Sequence, residues 1–127
     1  MSPETLTSEG LTRRVDDGRV LYRDASLHFG PGLHALLGPN GAGKSSLLRD
    51  LIGLRTLQSG RVQLGTRDLH ALEARDRARA LAYLPQSQEL PYDRKVRDLV
   101  MLGRAPYRSL FGMATATDQR VVEASMR

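Results

Sequence analysis

Short mixed apolar and polar stretches occupy the first third of the chain, after which the apolar spacing turns helical. Val20–Leu27 reads as a strand, and Leu33-His34-Ala35-Leu36-Leu37 reads as another beyond the turn residues Gly30-Pro31-Gly32. Leu47, Leu48, Leu51 and Ile52 then recur on one helical face, and Gly53 stops that helix. Gly60–Gly65 is a strand framed by glycines, and a short amphipathic helix is expected near Leu72–Ala80. Leu81-Ala82-Tyr83-Leu84 predicts a buried strand ended by Pro85, because proline lacks the backbone donor a ladder needs. Val96, Leu99 and Val100 share a helical face; a loop with Pro106 and a polar helix near Thr117–Met126 complete the pattern. Alternating strands and helices of this kind predict an α/β fold.

At 127 residues the chain is one domain's worth of polypeptide, long enough to hide about 65–70% of its unfolded surface. Charged residues make up 26% and apolar ones 40%, which excludes a mostly disordered, collagen-like or coiled-coil chain. The net charge of +5 and pI near 10.2 direct attention to anionic partners: nucleotide phosphate, nucleic acid or an acidic membrane surface. The absence of cysteine removes disulfide scaffolds, thiolate zinc sites and thiol nucleophiles. Met1–Gly10 is polar and lacks the basic and apolar regions of a secretory leader, so no export is expected. The longest apolar runs fall far short of the roughly 18 residues of a membrane span. No repeat, low-complexity tract or Ser/Gly linker is seen.

Chemistry concentrates where the expected strand Leu33–Leu37 gives way to the helix. There Gly38, Gly43, Lys44 and Ser45 satisfy the spacing G-x-x-x-x-G-K-[ST]. Glycines at these positions let backbone N–H groups curl around phosphate oxygens, and the helix N-terminus adds partial positive charge. Lys44 is suited to neutralising β and γ phosphates, the Ser45 hydroxyl to ligating Mg²⁺, and Ser46 to donating to an α-phosphate oxygen. Lys44 is one of only two lysines, with Lys95, among 19 basic residues. A general preference for lysine does not account for it.

The full run Gly38-Pro39-Asn40-Gly41-Ala42-Gly43-Lys44-Ser45 resembles the Walker A loop of ABC transporter ATPases at every position. Val20-Leu21 with Ala25-Ser26-Leu27 resembles the strand before that loop, Leu54 through Val62 the strand after its helix, and Tyr83-Leu84-Pro85-Gln86 the Q-loop. The resemblance implies that Gln86 reaches Mg²⁺ and the nucleophilic water and couples the nucleotide site to a transmembrane partner. Lys95–Arg104 with Pro106-Tyr107 is similar to the segment after the Q-loop in importers of iron–siderophore complexes, heme and vitamin B12. Leu90, Pro91 and Tyr92 are the residues expected to touch the permease.

Several family elements are missing. An ATPase needs a carboxylate to position water and a Walker B acid at the end of a buried strand. Asp50, Asp68, Glu73, Asp76, Glu89, Asp93, Asp98, Asp118 and Glu123 all read as loop or amphipathic-helix residues. No signature motif or switch histidine is present, and the chain stops inside what resembles the helical subdomain. Val15 stands where the family usually offers an aromatic for adenine, and Tyr22 is a conceivable substitute. His28, His34 and His70 share no metal-ligand spacing.

The expectation is therefore a P-loop NTPase fold of the ABC ATPase type. It comprises the N-terminal half, with an early antiparallel β portion and a nucleotide-binding core over about residues 1–86, and the start of a helical subdomain over about 87–127. The resemblance implies ATP and Mg²⁺ as ligands. It further implies a transmembrane permease and a second ATPase subunit as partners, a periplasmic or surface substrate-binding protein as an indirect one, and peripheral placement on the cytoplasmic face of the membrane. Hydrolysis is not expected from this chain alone. Two alternatives are a fragment that does not fold stably, leaving sheet edges uncovered, and a basic nucleic-acid-binding module. Against the latter stand a spread-out positive charge, only six aromatics and no stacking motif; no nucleic acid is expected.

Overall fold

The computed structural model describes residues 5–87, 95–108 and 112–127. The chain divides into two compact units, Met1–Arg77 and Ala78–Arg127.

The first unit contains an antiparallel sheet in the order β2-β1-β3-β4. Strand β1 (Leu6–Arg14) turns through Asp16-Asp17-Gly18 into β2 (Val20–Phe29). Leu6 pairs with Phe29 and Arg14 with Val20. The ladder is broken by a bulge between Ser8 and Leu11, where side chains take over the pairing: Gly10 N–H donates to Ser26 Oγ at 3.0 Å and Asp24 N–H to Thr12 Oγ1 at 3.0 Å. The bulge also shifts the phase of the strand, so its inward set is Ser8, Leu11 and Arg13. β1 therefore lacks an apolar alternation, and nothing in the hydrophobic pattern predicts it.

Strand β3 (Ser59–Leu64) lies on the other side of β1, with Leu6 opposite Leu64 and Ser8 opposite Val62, and pairs in turn with the two-residue β4 (Arg67–Asp68). Gly60 passes close over the β1 bulge; a Cβ there would lie 2.4 Å from the Glu9 carbonyl oxygen. Helix α1 (Lys44–Leu51) ends as expected at Gly53, where the Gly53 and Leu54 N–H groups return to the Asp50 and Arg49 carbonyls at 3.1 and 2.9 Å. Leu47 and Leu51 of α1, Leu11 of β1, Val62 and Leu64 of β3, and Leu69 form the apolar core of this unit. Each fully buried leucine contributes about 1.5–3 kcal/mol.

Two expected strands do not form. Leu33–Leu37 has no ladder partner, and Leu33 and Leu37 are 100% and 88% exposed. Leu81–Leu84 is likewise irregular rather than a buried strand, with Leu84 89% exposed. An apolar run becomes a strand only when neighbouring strands take up its N–H and C=O groups. Among the described residues no strand lies beside either run.

Helix α2 (Ala74–Ala80) joins the two units in sequence. In the second unit α3 (Val96–Leu102), a short 3₁₀ turn (Ala105–Tyr107) and α4 (Ala116–Ser125) follow. α4 opens on a capping box, Thr115 Oγ1 accepting from the Asp118 N–H while the Asp118 carboxylate accepts from the Thr115 N–H. Arg104 donates to Asp118 at 2.9 Å and lies over the Tyr107 ring at 4.2 Å. Val122 is the fully buried apolar residue of α4. Among the described residues no helix is long and apolar enough to cross a membrane.

Candidate functional site

The glycine loop leads from an exposed segment into α1, and Pro31–Ala42 are all exposed. Gly43 is the N-cap of α1 at φ 88°, a left-handed conformation that places a side-chain-free residue where the chain turns into the helix. No side chain caps this terminus, so the first-turn N–H groups face outward with the positive end of the helix dipole. The Lys44 ammonium curls back over the loop, donating to the carbonyls of Gly38 at 2.7 Å and Pro39 at 2.8 Å. Ala42 N–H bonds to the Pro39 carbonyl at 3.3 Å. Gly38, Pro39, Asn40, Gly41, Ala42, Gly43, Lys44, Ser45 and Ser46 thus form one contiguous turn and helix start. Its donors, ammonium and hydroxyls suit a multiply charged phosphate chain.

Behind this helix lies a polar cluster that no sequence pattern announces. Arg13 of β1 grips Asp50 of α1 with two hydrogen bonds, Nε to Oδ2 at 2.6 Å and Nη2 to Oδ1 at 2.8 Å, and also donates to the Thr56 carbonyl at 2.8 Å. Asp50 is 1% exposed and Arg13 9%. The Tyr22 hydroxyl donates to the same carboxylate, and the His70 ring bonds the Asp50 carbonyl oxygen at 2.9 Å. Burial, reinforced by the hydrogen bond to Asp50, pushes the Tyr22 phenol up to about 12. The bond to Asp50 outweighs desolvation at Arg13 and raises its guanidinium above its ordinary value. Asp50 sits within a helix, as expected, and is buried and paired there. Arg13 and Asp50 are 37 residues apart in sequence, beyond the reach of any local pattern.

Tyr22 does not stand free for a base. Its hydroxyl is taken by Asp50, and its ring lies beside Gly43, where an added Cβ would be 3.5 Å from Tyr22 Cδ1 and 3.0 Å from Leu21 Cβ. Val15 belongs to the β1–β2 turn, its N–H donating to the Arg19 carbonyl at 2.9 Å. Gln86 is exposed and belongs to the second unit, whereas the glycine loop belongs to the first. Leu90, Pro91 and Tyr92 lie outside the described residues. Of the candidate carboxylates, Asp118 is buried and committed to the α4 cap; the Thr115 N–H foremost, then Arg104, holds it down at about 2.

The family model for the ABC transporter matches residues 22–126. Over 122 residues the chain is 43% identical to the hemin import ATP-binding protein HmuV of Pseudomonas entomophila, covering 95% of this chain and 46% of that protein. It is 39% identical to the cobalamin import ATP-binding protein BtuD of Halobacterium salinarum, over 91% of this chain and 27% of the relative. The iron(3+)-hydroxamate import ATP-binding protein FhuC of Bacillus subtilis is 34% identical over 83% of this chain and 39% of its own length. The chain thus spans less than half the length of these relatives. Among solved structures, a metal-chelate type ABC transporter in an inward-facing conformation superposes with a TM-score of 0.73 at 22% identity, over 98% of this chain and 44% of that one.

Proposed function

This chain belongs to the ABC transporter family, and from that membership and its loop geometry we propose that it binds the phosphates of Mg-ATP through Gly38–Ser46. The carrying observation is the left-handed Gly43 opening an uncapped helix, with the Lys44 ammonium folded over the same loop. Bound nucleotide supplies the anhydride whose cleavage energises transport. The chain's own part is to cradle it: backbone N–H groups of the loop and first helical turn solvate phosphate oxygens, and Lys44 exchanges its two carbonyl partners for phosphate charge. Ser45 is the proposed Mg²⁺ ligand of this loop, a hard oxygen donor; a role for Gln86 at the metal is proposed from its resemblance to the Q-loop glutamine alone.

The relatives' roles support an uptake system for heme, an iron–siderophore complex or a cobamide. In this reading the chain lies at the cytoplasmic face of the membrane beside a transmembrane permease, which it touches through Leu90, Pro91 and Tyr92. A second ATPase subunit and, indirectly, a substrate-binding protein complete the system. The nucleotide-binding core runs over about 1–86 and the helical subdomain starts near 87. Hydrolysis is not expected from this chain alone, because among the described residues the buried carboxylates, Asp50 and Asp118, are committed to Arg13 and to the α4 cap. Steady phosphate release lost in Lys44→Ala would overturn that last point.

One titration tests the binding reading: the pure chain against a fluorescent ATP analogue with Mg²⁺, beside Lys44→Ala, with circular dichroism on the same samples. Saturable binding weakened about tenfold or more by the substitution is expected. A folded chain that binds equally well with and without Lys44 refutes it. The full exposure of Leu33 favours a second reading, a chain that does not fold stably; an unfolded dichroism spectrum with no binding would establish that one.

A further inference from the structure

Helix α1 carries the phosphate loop, yet it is eight residues long and no side chain caps its N-terminus. Isolated helices of that length do not hold together in water, so tertiary contacts must fix its first turn. Leu21 and Tyr22 of β2 border Gly43, and Tyr22 does more than border it. Its ring flanks the left-handed turn at Gly43, while its hydroxyl reaches Asp50 in the last turn of the same helix. Asp50 is in turn held by the forked guanidinium of Arg13 at 2.6 and 2.8 Å, and Arg13 is anchored to the Thr56 carbonyl at 2.8 Å. Through the Asp50 carboxylate, the Tyr22 side chain therefore links the N-cap of the helix to its last turn. Its far end is fixed by a charge-assisted hydrogen bond within a buried ion pair.

We infer that Tyr22 is a positioning residue for the phosphate loop: anchored through Asp50 and Arg13, its ring sets the Gly43 turn and thereby the direction of the α1 N–H groups. The inference rests on the proposed phosphate binding by that loop. Ordinary packing would make Tyr22 matter for stability only. Positioning makes it matter for affinity in molecules that are fully folded, because N–H groups that miss the phosphate oxygens weaken every contact at once.

The test compares the full chain with Tyr22→Phe, which keeps the ring and loses the anchor, and Val62→Ala, which thins the buried core at β3. Each is titrated with the fluorescent Mg-ATP analogue well below its own thermal midpoint, so that only folded molecules are compared. Tyr22→Phe is expected to weaken binding by about threefold to tenfold, whereas Val62→Ala lowers the midpoint and leaves the dissociation constant within about twofold. Unchanged affinity in Tyr22→Phe, or equal weakening in both variants, overturns the inference. If the parent chain binds no nucleotide, the phosphate reading fails separately. Positioning is then read from the backbone amide resonances and hydrogen exchange of Gly43–Leu47. Displacement and faster exchange in Tyr22→Phe but not in Val62→Ala support it, and identical spectra refute it.

Discussion

Removing the Asp50 carboxylate is the most informative single perturbation of this chain. Asp50 is 1% exposed and accepts both arms of Arg13 as well as the Tyr22 hydroxyl. In Asp50→Ala the Arg13 guanidinium, whose residue is only 9% exposed in the parent chain, loses its counter-ion and is left with neutral partners, among them the Thr56 carbonyl at 2.8 Å. Breaking a buried pair by deleting one partner costs about 3–5 kcal/mol, because the remaining charge has neither water nor a counter-ion. Domains of this kind have about 5–15 kcal/mol in total, so the variant stands at the edge of unfolding. Replacing both partners by apolar side chains, Arg13→Met with Asp50→Leu, removes the stranded charge and should restore most of that loss. Urea unfolding followed by far-ultraviolet dichroism gives all four corners of the Arg13→Met and Asp50→Leu cycle, with Asp50→Ala measured beside them. A cost below about 1 kcal/mol for Asp50→Ala, or a double variant as unstable as the sum of its singles, would refute the argument that the pair is buried and coupled.

Two further outcomes follow from the same geometry. Gly60→Ala places a Cβ 2.4 Å from the Glu9 carbonyl oxygen at φ +84°, so it must displace backbone as well as strain it. A loss of about 1–3 kcal/mol from the conformation alone is expected, with further loss from the β1–β3 ladder, read by urea unfolding; a neutral effect would disprove that approach. Asp118 is held down at about 2 by the Thr115 N–H and Arg104, so its folded value lies below its unfolded one. Its contribution is complete above the ordinary 3.8 and is lost as the pH falls toward 2. A dichroism titration should therefore show α4 helicity falling in that window in the parent chain and no such step in Asp118→Asn.

The candidate site was legible because its residues are contiguous. Gly43, Lys44 and Ser45 adjoin one another, and the loop's proposed function resides in backbone conformation that glycine permits locally; Gly43 does adopt the left-handed turn. Gly53 stops α1 for the same local reason, and the helical spacing of apolar residues located α1 and α3. Strand β1 was illegible because two of its three inward residues, Ser8 and Arg13, are polar and a bulge shifts their phase. Leu33–Leu37 misled for the converse reason: its apolar run has strand character, but the hydrogen-bonding neighbours that make a strand are supplied by other segments.

The glycine loop, the proposed phosphate cradle, and the start and stop of the helix that carries it depend on residues adjacent in the polymer and are readable from their order alone. Folding alone brings Arg13, Tyr22 and His70 to Asp50, over separations of 20 to 37 residues. A buried charge is tolerated only where its partner arrives by folding, and no local pattern encodes that arrival.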